Sequence, residues 1–441
     1  MVEAIPSKTI LILNDDCFLH IYSFLEHEDV LNMEMVCTRL EEVTNRFYRT
    51  YRVMDLDDGT WWRKLFKQLA PKVAEYVQNL KVVRSATINI RGRNVKPLLC
   101  LFTNLEHLHI EEFKKMMEYS HVMTTLFVKL KTAVLVNCDL TDEIGTWISG
   151  ATQLQVLDVA ANHELTGDFL LLLHNLKELS INSCDGIEAR YFLQFCENNC
   201  TLKRLDVFYW YNLTQECVDA IAHYLKNTEI LLIGHGDFNG YTMTFDALGD
   251  LPNLKNLSFA YFGYNEIKDA CTFVDLLANH NHLEYLHIEI DPCKRALRAL
   301  TKFDKLKKLV LFCEWVFIDE ILQALQCKHV LEDVNLQATN VSNQGAISLI
   351  KSCPNLRKIN LTCCKFITGK LLKDLRRHIK ERSQPLKITL QYTDIDWNTV
   401  YDLGLQNNDM LDFNFNTDSE LERTKEDYED ITDPEYGNDS D

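Results

Sequence analysis

The apolar positions of this chain obey one rule over most of its length: leucine, two free positions, leucine, one free position, another aliphatic or aromatic residue. The word reads LEHLHI from Leu105, LKTAVL from Leu130, LQVLDV from Leu154, LKELSI from Leu176 and LKRLDV from Leu202. It returns as LKNLSF from Leu254, LEYLHI from Leu283, LKKLVL from Leu306, LEDVNL from Leu331 and LRKINL from Leu356. Weaker copies lie around Ile230 and Leu232 and around Ile388 and Leu390. A last alternation runs Met410–Phe413–Phe415, and an irregular first one uses Ile88 and Ile90. The final two apolar positions of each word stand two residues apart, so they share one face of a short strand. The segment after each word has helical spacing instead, as in ECVDAIAHYL at 216–225. Neither half buries its apolar face alone. Stacking the copies, at a spacing of about 25 residues, gives a continuous core. The expected class is α/β: a solenoid with parallel strands on the concave face and helices on the convex face. It should hold about 13 repeats between residues 85 and 416.

The residues before this array follow a different rule. LNDDCFLHIYSFLEHEDVLNMEMVC, residues 13 to 37, places Phe18, Ile21, Tyr22 and Leu25 on one helical face. Asn14 is suited to cap that helix, with Asp15 and Asp16 at its positive end. Asp29 is expected to cap a second helix carrying Leu31 and Met35. Thr38 and Glu41 have the spacing of a capping box for a third, which runs toward Tyr48. Three short helices over residues 11–52 bury little core, so they should expose an apolar face to a partner. TWWRKLFKQLAPKVAEYVQNL, residues 60–80, reads as helix and makes 53–84 a helical linker. In it Trp61, Trp62, Leu65, Phe66, Leu69, Val73 and Val77 can join the small unit to the first repeat.

Composition narrows the function classes. The formal net charge is −18, which argues against nucleic acid or an anionic membrane as the main partner. Residues 417–441 hold eleven acids against Arg423 and Lys425 and form an acidic tail expected to be disordered. No apolar run approaches the roughly 20 residues that span a bilayer. The start of the chain is a poor signal peptide, so a cytoplasmic or nuclear setting and reduced cysteines are expected. Catalytic signals are weak. Cys196 and Cys200 lack a second pair at zinc-ligand spacing. The stretch from Asp237 has Leu248 where a calcium loop needs a bidentate glutamate. No phosphate-binding glycine loop or nucleophile elbow is present. The expectation is a protein without catalytic residues, metal or cofactor.

Two stretches carry family resemblances. CPNLRKINLTCCKFITGKLLKDL, residues 353–375, resembles the cysteine-containing subtype of leucine-rich repeat. Cys138, Cys184 and Cys364 hold its ladder position after the strand, where a small side chain sits in the core. Residues 13–37 resemble an F-box. Its pattern is leucine–proline, an apolar helix ending in an aromatic–leucine pair, an acid before an apolar pair, then Val-Cys and a basic residue. The matching positions are Leu13, Phe18, Ile21, Phe24, Leu25, Asp29, Val30, Leu31, Val36, Cys37 and Arg39. Asn14 stands where proline is usual, and Leu40 where tryptophan is common. The combination is similar to the F-box and leucine-rich-repeat family.

That resemblance implies a substrate receptor of a Skp–cullin–F-box ubiquitin ligase, with the ubiquitin chemistry done by other subunits. Leu13, Phe18, Ile21, Phe24, Leu25, Leu31, Val36 and Cys37 would dock on the Skp adaptor, and through it on cullin and RING subunits. The repeats would hold a protein target. A non-degradative scaffold, or a Skp-binding protein outside a cullin complex, is the alternative. The free positions beside the strand leucines point away from the core, and they place Phe208, Tyr209, Leu231, Ile233, Tyr261, Tyr285 and Phe312 as candidate target-binding residues.

Overall fold

A computed structural model describes residues 10–56, 62–83, 99–236, 243–262, 273–278, 282–290, 298–313, 318–406 and 408–415. The side chains of a few of these, including Trp62, Leu65, Phe66 and Tyr261, are excepted. The chain is α/β and divides into two compact units, Met1–Leu213 and Thr214–Asp441.

The first unit opens with α1 (Asp15–Tyr22), α2 (His27–Glu34) and α3 (Thr38–Tyr48), and continues through α4 (Trp62–Val73). Its strands are β1 (Val53–Leu56), β2 (Asn79–Val83), β3 (His107–Glu111), β4 (Thr132–Val136), β5 (Val156–Asp158), β6 (Glu178–Ser180) and β7 (Arg204–Val207). Each pairs in parallel with the next in chain order, with register Met54↔Leu80, Leu80↔Leu108, Leu108↔Ala133, Ala133↔Leu157, Leu157↔Leu179 and Leu179↔Leu205. All of these residues are buried. Parallel neighbours need a crossover, and helices such as α5 (Ser120–Phe127) and α6 (Ala189–Asn198) supply it. These helices bury Met123, Phe127, Phe192 and Phe195.

The second unit repeats the scheme. Its strands are β8 (Ile230–Gly236), β9 (Asn256–Phe262), β10 (Tyr285–Ile290), β11 (Lys308–Phe312), β12 (Asp333–Asn335), β13 (Lys358–Asn360), β14 (Leu386–Thr389) and β15 (Leu411–Asn414). They too pair in parallel in chain order. α7 (Gln215–Tyr224) precedes β8, and α8 (Asn343–Ser352), α9 (Gly369–His378) and α10 (Trp397–Asp402) lie between later strands in sequence. No helix among the described residues is long and apolar enough to cross a membrane.

One boundary and one register differ from the sequence expectation. Pairing starts at Val53, so 53–83 is not a helical linker. It contains β1, α4 and β2, a strand–helix–strand step like the others. The irregular copy expected at Ile88 and Ile90, and the tail, lie outside the described residues. The register of the weak copy near 230 also differs. Leu231 pairs with Leu257 and Ile233 with Phe259, which makes Leu231 and Ile233 core residues.

The step out of eight of the strands, β3–β7 and β12–β14, follows one pattern. Glu112, Asn137, Ala161, Ser183 and Tyr209 in the first unit, and Ala338, Cys363 and Tyr392 in the second, occupy equivalent positions with φ between 52° and 58°. This left-handed residue turns the chain away from the sheet while its N–H still reaches the next strand. Asn137 donates to the Ala160 carbonyl at 2.9 Å and Ala161 to the Asn182 carbonyl at 2.8 Å. The following residue dives into the core. Cys138, Cys184 and Cys364 are fully buried there, with Cys184 Sγ 3.1 Å from the Val159 carbonyl and Cys364 Sγ 3.0 Å from the Leu336 carbonyl. Burial pushes the Cys138 and Cys184 thiols up to about 12 and Cys364 to about 11, so they stay protonated and unreactive. Asn162 fills the same place in its repeat. It accepts from the Cys138 and Leu140 N–H groups and donates to the Leu135 and Val159 carbonyls.

Candidate interaction surfaces

The three N-terminal helices seal a small interior and leave much of their apolar surface outside it. Asn14 caps α1, accepting from the Cys17 N–H at 2.8 Å, and Asp15 and Asp16 stand in its first turn. The other two expected caps are not formed. α2 begins at His27, which puts Asp29 inside the first turn. α3 begins at Thr38, which makes Cys37 the cap residue and leaves Thr38 one place too late for a capping box. Phe18, Tyr22, Val30, Leu40, Val43 and Tyr48 are buried in this interior.

That burial corrects one docking assignment: Phe18 has no exposed surface and offers nothing to a partner. Leu13, Ile21, Leu25, Leu31 and Cys37 are half-buried. Phe24 and Val36 are 76% and 65% exposed. The pattern reading missed Ile12 and Met35, which are 70% and 81% exposed, and Ile10 and Leu11 beside them. Arg39 brings these groups near one another. Its guanidinium donates to the Leu11 and Leu13 carbonyls, lies over the Phe18 ring at 5.7 Å and faces Asp15 at 3.6 Å. The turn of residues 10–13 is thereby held against the start of α3, where Met35 and Val36 stand exposed. Motif reading could not find Ile12 or Met35, because only the fold shows that no interior takes them.

The helical unit is fastened to the first repeat through a half-buried polar cluster. Glu34 at the end of α2 accepts from the Tyr48 hydroxyl at 2.8 Å and pairs with Lys72 of α4 at 2.5 Å. Lys72 also sits over the Tyr48 ring, 5.6 Å from its centroid. Burial, then the hydrogen bond to Glu34, raise the Tyr48 pKa. Leu69, Val73 and Val77 are fully buried, as expected. Trp61 and the side chains of Trp62, Leu65 and Phe66 lie outside the described residues.

The second candidate is the sheet face formed by the free positions of each repeat. In the first unit it carries His109, Glu111, Asp158, Ser180, Arg204, Asp206 and Phe208. His109 pairs with Glu111 at 2.6 Å. Asp158 and Asp206 each accept from the N–H two residues on, at 2.9 Å from Ala160 and 3.1 Å from Phe208. Asn335 and Asn360 make the same bond in the second unit. These side chains thus close the strand ends. Burial raises the Asp158 carboxyl above its usual range and pushes Asp206 up to about 6. Phe208 is only 8% exposed and packs edge-on against Tyr209 at 4.5 Å, so it contributes little surface; Tyr209, in the left-handed turn, is half-buried.

In the second unit, Leu231 and Ile233 are removed from the face by the register above. Ile230 and Leu232, half-buried, replace them. Tyr285 and Phe312 are half-buried on this face. Lys308 lies 5.4 Å above the Tyr285 ring, and the His287 and Phe312 rings are 6.1 Å apart. Burial, then the charge of Lys308, push His287 down to about 4. The Tyr261 side chain lies outside the described residues. Among the described residues no group of three or more His, Cys, Asp or Glu side chains is arranged to hold a metal ion.

No protein-family model matches the chain, and no curated protein matches it. The two surfaces therefore rest on their own chemistry. One is a small helical unit with large exposed apolar groups; the other is the sheet face of each unit, which mixes aromatic, acidic and amide side chains. Both are suited to binding.

Proposed function

We propose that this protein is the substrate-recognition subunit of a Skp–cullin–F-box ubiquitin ligase. In this reading α1–α3 are an F-box, the strands and helices that follow are a leucine-rich-repeat solenoid, and the strand face holds a protein target. The observation that carries it is the set of exposed apolar groups on the N-terminal helices, Ile12, Phe24, Met35 and Val36 foremost. A soluble unit of this size gains nothing by leaving them in water, whereas an adaptor helix would bury them. Chemistry is left to other subunits. The receptor contributes proximity, raising the effective concentration of a target lysine near charged ubiquitin. The target site of this reading is centred on Ile230, Leu232, Tyr285 and Phe312.

The test is affinity purification of the intact chain beside a Phe24→Asp, Val36→Asp variant. Both positions are exposed, so the fold is expected to survive. Each buried anchor lost is worth about 2 kcal/mol or more. The Skp adaptor, with cullin behind it, should co-purify with the intact chain and be lost from the variant. Adaptor retained at the intact level would overturn the docking assignment. Adaptor bound without cullin would favour the scaffold alternative. Tyr285→Ala with Phe312→Ala should weaken target binding by a similar amount while the adaptor is retained.

A further inference from the structure

The outer surface of α9 carries a charge opposite to that of the chain as a whole. Leu371, Leu372 and Leu375 bury one side of this helix. On the other, Lys370, Lys373, Arg376 and Arg377 recur at three- and four-residue spacing, Lys380 continues the row in the turn after the helix, and all are exposed. Lys365 extends the stripe into the turn before the helix. Arg377 pairs with Asp374 at 3.4 Å, and the side chains of Lys370, Lys373, Arg376 and Lys380 meet no acid among the described residues.

The helix dipole accounts for only part of this. Cations are favoured in the last turn, where Arg376 and Arg377 stand. Lys370 lies in the first turn, where a cation is disfavoured and where α9 carries no acid. A stripe that runs against the dipole at one end fits an external anion along its whole length.

The chain itself supplies such an anion. The described chain ends at Phe415, whose ring packs on Trp397 of α10 at 4.8 Å. α10 lies beside the start of α9: Asp394, just before α10, bridges in parallel to Thr368, the cap of α9. Residues 416–441 follow, with eleven acids and two bases. The stripe is about 15 Å long at the helical rise, and a few extended residues at roughly 3.3 Å each cover it.

We propose that the basic stripe of α9 is the docking surface for the chain's own acidic segment, residues 416–441. Contact is by solvent-exposed ion pairs, so it is weak, salt-sensitive and reversible. Docking would cover the outer side of the last repeats and keep the acidic segment from other basic surfaces. Release by salt or by a competing polyanion would expose both.

Zero-length carbodiimide coupling of the full chain tests this, because it joins carboxylates only to lysines already in contact. Coupled peptides are mapped by mass spectrometry, using a mixture of isotopically labelled and unlabelled chain to separate internal from intermolecular products. Acids of 416–441 should couple within one chain to Lys370, Lys373 or Lys380, several-fold more than to Lys226, exposed in the same unit. The yield should fall several-fold in Arg376→Glu with Arg377→Glu, which leaves the reporting lysines in place, and in about 0.5 M salt. Arg376→Lys with Arg377→Lys, which keeps the charge, should preserve the yield at Lys370 and Lys373. Coupling spread evenly over surface lysines, coupling between copies, or a yield indifferent to charge reversal would overturn the proposal.

Discussion

Asp206 shows how a single side chain in this sheet does a structural job at an electrostatic cost. Its carboxylate closes the end of β7 by accepting from the Phe208 N–H, and it is nearly excluded from water. Burial lifts it to about 6 from an ordinary 3.8. A carboxyl whose folded pKa is raised stabilises the fold below the unfolded value and loses that contribution as pH rises through the folded one. Stability should therefore fall by as much as about 3 kcal/mol between about pH 4 and pH 7. Asp206→Asn keeps the acceptor and removes the charge, so its stability should be flatter over that window and higher at pH 8. Urea titrations at several pH values measure the difference. Ala161 poses a backbone question instead. At φ 57° a β-branched side chain clashes, so Ala161→Val should cost about 1–2 kcal/mol. Ala161→Gly should be close to neutral, because relief of strain offsets the added freedom of the unfolded chain. Equal losses in the two variants would show that packing, rather than backbone conformation, limits this site.

Among the elements, α2, α3 and α4 meet at Glu34. Replacing it with alanine strips the Tyr48 hydroxyl and Lys72 of their acceptor in a half-buried site, at a cost of about 1–3 kcal/mol. Glu34→Gln, which still accepts from Tyr48, should lose less. Thermal unfolding of the two variants checks the order. The strands show where local pattern suffices. Words with three strong aliphatics, such as LEHLHI and LQVLDV, became β3 and β5 with the expected residues buried. β1 and β2 use the same spacing in weaker residues, Tyr51-x-x-Met54-x-Leu56 and Val77-x-x-Leu80-x-Val82. They escaped notice because the helical period of 62–73 runs into the second word, and a short strand cannot outweigh a long amphipathic pattern beside it.

At the scale of the whole molecule, the strands described in each unit pair with their sequence neighbours, so stability is expected to be a sum of local terms. Leu157 is fully buried in β5. Leu157→Ala should cost about 2–5 kcal/mol and loosen its own surroundings first. Amide exchange should quicken in β4, β5 and β6 while β12, β13 and β14 keep their protection. A uniform loss across all strands would mean that the array unfolds as one body.

The sequence by itself determined the parallel repeat, its spacing, the amphipathic N-terminal helices and the place of the ladder cysteines, because each is a local periodicity written in residues close together in the chain. Tertiary structure decided the rest. In EILLIG, residues 229–234, four aliphatics follow one another, so either alternating pair could face the core. Pairing with the Leu257 and Phe259 of β9 selected Leu231 and Ile233 and turned Ile230 and Leu232 outward. The same holds for the candidate docking residues. Phe18 lies inside while Phe24, six residues on, lies outside; Phe208 is covered by its neighbour; Ile12 and Met35 stay in water. Hydrophobicity says that a side chain gains by burial, but only the packed neighbours determine whether its own chain provides it or a partner must.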